Sequence, residues 1–137
     1  MLRKDCEKNI KWEKSTDVKN RVEKLIKVLN FNWIKTANLH FVKSKNANTQ
    51  AYARIWGLPK LWQLILKEKP NYIIEVISEK FDKLSEKEKD RVLIHELAHI
   101  PKNFSGSLLS HIKKKGKRNF NDKVNKYIKM YFKQKKF

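Results

Sequence analysis

The sequence predicts a single α/β (α+β) domain with a small, mainly antiparallel sheet, a central helix bearing two histidines, and a C-terminal amphipathic helix. Three observations predict it. Apolar residues recur at helical spacing between Val18 and Leu29, strand-like runs fill the stretch from Ala37 to Ile77, and a well-capped helix begins after Ser85. With 137 residues, 40% of them hydrophobic and including 4 Trp, 4 Tyr and 7 Phe, the chain can bury one sizeable core but not two.

Residues 1–15 are polar and basic and read as a variable N-terminus. Ser15, Thr16 or Asp17 can then cap a helix over residues 17–30, because Val18, Val22, Leu25, Ile26 and Leu29 share one face. Residues 37–43 and 51–58 read as strands separated by the polar Ser44 to Gln50 turn, so a hairpin is expected. Leu61, Trp62, Leu64, Ile65 and Leu66 are too dense to show a period, although Pro59 can start a short helix there. Tyr72 to Ile77, rich in aromatic and β-branched residues, is the clearest strand.

Ser85 and Glu88 form a capping box, Glu86, Glu88 and Asp90 suit the positive end of the helix dipole, and Pro101 stops the helix. The span is residues 86–100. At the end of the chain, Phe120, Val124, Tyr127, Ile128, Tyr131 and Phe132 form one apolar stripe on a basic amphipathic helix over residues 118–137. The stripe must be covered by its own core, by the functional cleft, by a second copy of the chain in a homodimer, or by an anionic membrane surface.

The central helix carries the chemistry. His95-Glu96-Leu97-Ala98-His99 is an HExxH pattern, which sets two imidazoles one turn apart on one face, as a tetrahedral zinc ion requires, with a carboxylate beside them to act as general base. Shuffling a chain of this composition gives only roughly 0.006 such spacings. A catalytic zinc takes three protein ligands and keeps one position open. Position 105, where one subclass has its third histidine, is Ser, and no Glu follows Glu96. His111 and Asp122 remain downstream; His111 is favoured, because Pro101 and Ser105-Gly106-Ser107 allow the chain to fold back. His40 is a more remote candidate.

These residues carry a family resemblance. The HExxH run followed by Ile100-Pro101, Phe104-Ser105-Gly106 and His111, with Ile55-Trp56-Gly57-Leu58-Pro59 and Ile74-Glu75-Val76-Ile77 before it, resembles the minigluzincins, small soluble metallopeptidases related to phage metallopeptidases. The resemblance covers about residues 35 to 111. It implies a zincin-like fold, Zn2+ held by His95, His99 and His111, Glu96 as general base and acid, and a peptide or protein substrate. It also implies a zymogen whose C-terminal segment obstructs the cleft, so the 118–137 helix becomes a candidate autoinhibitory element. The whole chain, 1–137, then reads as one metallopeptidase domain. Tyr127 or Tyr131 would supply oxyanion help if the last helix approaches the site.

The formal net charge is +19, with lysine in nearly every segment and a concentration of +10 in residues 112–137. A solvated cationic surface is the plainer account. Attraction to nucleic acid is the alternative, and with 5 Arg against 28 Lys it would be nonspecific. A cationic nucleic-acid-binding module with a noncatalytic metal site and a DNA-associated protease are therefore the rival functions. Cys6 stands alone, no apolar run is long enough to span a bilayer, and no signal peptide is evident, so a cytoplasmic location is expected.

Overall fold

The computed structural model describes residues 9–111 and 120–134, and its first element lies in the stretch expected to be variable. Strand β1 (Lys11–Lys14) is exposed along its whole length, so nothing in its hydrophobic pattern marks it. Helix α1 (Thr16–Leu29) begins where Ser15 Oγ accepts a hydrogen bond from the Val18 amide and ends at Asn30 in the left-handed region, φ 56°. Its buried face is Val18, Val22, Leu25 and Leu29.

A 3₁₀ turn at Thr36–Asn38 delays strand β2 (Leu39–Lys45) by two residues relative to expectation. Strand β3 (Ala53–Gly57), helix α2 (Lys60–Leu66), strand β4 (Tyr72–Ile77), the short helix α3 (Ser78–Phe81), helix α4 (Glu86–Leu97) and helix α5 (Phe120–Gln134) follow. The sheet order is β1-β2-β4-β3. β1 pairs antiparallel with β2, β2 parallel with β4, and β3 antiparallel with β4.

The expected hairpin between residues 37–43 and 51–58 is therefore incorrect, because β4 lies between those two strands. Burial explains the preference: Tyr72, Ile74, Glu75, Val76 and Ile77 are all buried, as a central strand requires, whereas Trp56 on β3 is half exposed and suits an edge.

Helices α1, α4 and α5 cover one face of the sheet. Val22 and Leu25 from α1, Phe41, Ile74 and Val76 from the sheet, Leu93, Ile94 and Leu97 from α4, and Tyr131 from α5 share one apolar core. Arg21 on α1 ties to α4 through Asp90 at 3.0 Å and through Glu86. The opposite face of the sheet holds Glu75, which is fully buried yet charged. It accepts hydrogen bonds from Arg54 Nε at 2.7 Å, Trp56 Nε1 at 2.8 Å and Trp12 Nε1 at 3.2 Å. This cluster ties β1 and β3, the two edges, to the central strand.

The capping box of α4 is formed in both directions: the Glu88 amide donates to Ser85 Oγ, and the Ser85 amide donates to Glu88 Oε1. The α-helix ends at Leu97, three residues before expectation. The His99 amide donates to Glu96 O and the Ile100 amide to Leu97 O, a tighter i to i−3 pattern that closes the helix ahead of Pro101. Cys6, residues 112–119 and residues 135–137 lie outside the described residues, as do most of the lysines that concentrate charge near the C-terminus.

Candidate metal centre

His95 projects from the last turn of α4, and His99 from the tightened turn that follows. Their ring centroids are 5.1 Å apart. The third imidazole arrives from the loop after Pro101. His111 Nε2 lies 2.9 Å from His95 Nε2, and its ring centroid is 4.4 Å from that of His99. One ligating atom from each of the three histidines lies within 4.8 Å of the others. Three nitrogens each about 2.1 Å from a common zinc would be about 3.4 Å apart in a tetrahedral set, so this donor set fits the ion.

The loop that returns His111 is held at several points. Leu109 N donates to His99 O at 2.7 Å, and the His99 ring in turn donates from Nδ1 to Leu109 O. A carbonyl only accepts, so Nδ1 must carry the proton and Nε2 is left as the lone-pair donor. Farther back, Tyr72 Oη accepts from the Gly106 amide at 2.8 Å and donates to Ser107 O at 2.8 Å. Gln63 Nε2 donates to Leu58 O and Ser105 O. Gly106 sits at φ 97°, and a Cβ on Gly57 would stand 2.1 Å from Gly106 O, so two glycines allow this loop to press against the end of β3.

The electrostatics suit a cation. Burial, then His99 and His111, hold His95 far below the usual imidazole range, at about 4. Burial also lowers His99, against the opposing hydrogen bond to Leu109. Both rings are thus neutral near pH 7, the form in which an imidazole can hold a metal ion. Glu96 is buried beside them, and burial pushes its carboxyl up to about 8.

A cleft of about 880 Å³ opens at this cluster. His95, Glu96, His99 and His111 line one side; Tyr52, Ala53, Arg54 and Ile55 from β3 and its approach line another. Helix α5 closes the third side. Phe120, its first residue, lies against all three imidazoles, stacked on His99 with centroids 4.2 Å apart and edge-on to His95 and His111. Asn121, Val124, Asn125 and Ile128 continue this wall.

His40 and Asp122 are outside the three-histidine group; His40 Nε2 pairs with Asn71 Oδ1 at 2.9 Å on the sheet. Tyr127 packs edge-on against Phe31, and Tyr131 is buried in the core, so neither lines the cleft as the oxyanion reading required. The stripe of α5 is divided within its own chain. Tyr131 joins the main core, while Phe120 and Val124 pack with Ala98 beside the histidines. Arg91, Asn121 and Asn125 are cleft residues that sequence reasoning missed. Their only signal was spacing: Arg91 is four residues before His95, and Asn121 and Asn125 are four apart on α5.

A small α+β domain with three convergent imidazoles and a buried carboxyl at an open cleft is the architecture of an HExxH metal-site protein. The chain belongs to the family described as "Putative phage metallopeptidase", whose model matches residues 10–130, and a metallopeptidase family implies a bound metal and a peptide or protein substrate. No curated protein and no solved structure matches this chain significantly. Among the described residues, no helix is long and apolar enough to cross a membrane.

Proposed function

We propose that this protein is a zinc-dependent endopeptidase of the minigluzincin type, acting in the cytoplasm and held latent by its last helix. The observation that carries the reading is the convergence of His95, His99 and His111 beside the buried Glu96 in one cleft. The three imidazoles would hold Zn2+, which acidifies a water and polarises the scissile carbonyl. Glu96 takes the water proton and passes it to the leaving amine. Zinc bound by three neutral histidines keeps its full positive charge and would draw the Glu96 carboxyl down towards its ionised form.

Among the described residues β3 is an edge strand paired with β4 alone, and residues 51–55 line the cleft. An extended peptide can therefore add to that edge, with its side chains alternating between cleft and solvent. Phe120 supports latency, because its ring packs against all three imidazoles and covers one face of His99. The decisive experiment is Glu96→Gln. It should retain about one zinc per chain and the parent's circular dichroism, yet lose peptide cleavage by at least roughly 10²-fold. Cleavage equal to the parent's would remove Glu96 from the chemistry.

A further inference from the structure

Helix α2 buries none of its residues. Five of its seven side chains are apolar and more than half exposed: Leu61 69%, Trp62 56%, Leu64 73%, Ile65 67% and Leu66 52%. Scattered exposed leucines are ordinary, but five on one short helix form a continuous apolar protrusion. The helix is also firmly placed. Gln63, its one polar interior residue, anchors it through two hydrogen bonds to Leu58 O and Ser105 O, and Lys67 in the left-handed region turns the chain sharply away, φ 55°.

Lysine brackets the protrusion, with Lys60 at one end and Lys67 and Lys69 at the other, against Glu68 alone. The chain as a whole carries +19. This charge selects the occupant. A second copy would bring another +19 against the first, so self-association is opposed, whereas a surface of anionic lipid attracts the lysines while its acyl region accepts leucine and isoleucine. Tryptophan suits the boundary between the two.

We propose that α2 is a membrane-docking element, inserting Leu61, Leu64 and Ile65 into the outer part of an anionic phospholipid bilayer, with Trp62 at the headgroup level and the flanking lysines on the lipid phosphates. The site differs from the metal cleft, and the proposal holds whether or not the protein cleaves peptides.

The test is sedimentation of the full chain with phosphatidylcholine vesicles carrying about one quarter phosphatidylserine, beside pure phosphatidylcholine vesicles. The parent should bind the anionic vesicles at least about ten-fold more tightly and lose binding as salt rises. Leu61→Ser with Leu64→Ser and Ile65→Ser should weaken it by at least about ten-fold at unchanged circular dichroism, since these side chains have little packing to lose. Leu64→Ser alone should give a smaller loss in the same direction. Tryptophan emission should shift to the blue on anionic vesicles, and Trp62→Phe should abolish the shift.

Failure of the parent to bind, equal binding to both vesicle types, or a triple variant that binds like the parent would overturn the proposal. So would a lipid-free dimer that the triple variant dissociates, which would make α2 a protein interface.

Discussion

The Phe120 ring lies nearly parallel to the His99 imidazole, at 20° and 4.2 Å between centroids, so the first residue of α5 closes over a ring whose Nε2 faces the other two histidines. The same helix sends Tyr131 into the core at 1% exposure. Cover and scaffold are therefore separate ends of one element, and they can be separated by mutation.

Phe120→Ala should uncover the site while leaving the rest of α5 in place. An aromatic pair contributes about 0.5–1.5 kcal/mol, so the open population, and with it peptide cleavage, should rise roughly 2- to 10-fold. Deleting α5 should do the opposite. Loss of Phe120, Val124 and Tyr131 at about 2 kcal/mol each removes a large share of a stability of roughly 5–15 kcal/mol. Cleavage assays and thermal melts on both variants decide this; a truncated chain that stays folded and gains activity would show that α5 is only a cover.

His111→Ala should lose bound zinc as completely as His95→Ala or His99→Ala, and Asp122→Ala should keep about one zinc per chain. The reason is geometric, since only the histidines present ligating atoms within 4.8 Å of one another among the described residues. Elemental analysis of the four proteins is sufficient. Full occupancy in His111→Ala would mean that the third ligand comes from elsewhere.

How much of this was legible in the sequence depended on range. The Ser85–Glu88 capping box, the α1 stripe and the His95/His99 pair act within one or two turns, so residue spacing alone located them. His111 was reachable by elimination, because turn residues and the lack of downstream Glu left few donors. Pairing across the sheet was not legible. The polar turn after β2 looked like a hairpin loop, but β4, whose Tyr72, Ile74, Val76 and Ile77 are buried, takes the place between β2 and β3. β1 has no periodic burial to detect, and the donors around Glu75 come from 19, 21 and 63 residues away.

Glu75 sets a pH dependence of stability. Burial alone would raise its carboxyl, but hydrogen bonds from Arg54, Ser44, Trp56 and Trp12 outweigh that and hold it at about 2, below the ordinary 4.5. A depressed folded-state value means that the unfolded chain binds the proton more readily. The stabilisation is thus complete above about 4.5 and is lost as pH falls from there towards about 2. The urea midpoint of the parent should drop across that window, and Glu75→Gln, less stable at neutral pH, should drop less. Parallel curves for the two proteins would show that another carboxylate governs acid unfolding.

Gly106→Ala should weaken the metal site from a distance. At φ 97° an added Cβ would be strained in any surroundings, and here it would also stand 2.4 Å from Leu58 O and 2.3 Å from Gln63 Nε2. Gln63 can swing aside, but then Leu58 O and Ser105 O both lose a donor; the Leu58 carbonyl itself cannot move without displacing the end of β3. The loop between Pro101 and His111 must shift, and the Tyr72 bridge to Gly106 and Ser107 shifts with it. A strain of about 1–3 kcal/mol is expected, lowering the melting temperature by roughly 5–10 °C. Because His111 rides on this loop while His95 rides on α4, zinc affinity should fall more than helix content does. Asn103→Ala, at an exposed position on the same loop, is the control and should keep the parent's affinity. Zinc titration beside circular dichroism separates the outcomes, and a Gly106→Ala protein that binds zinc like the parent would show that the loop positions His111 without help from this contact.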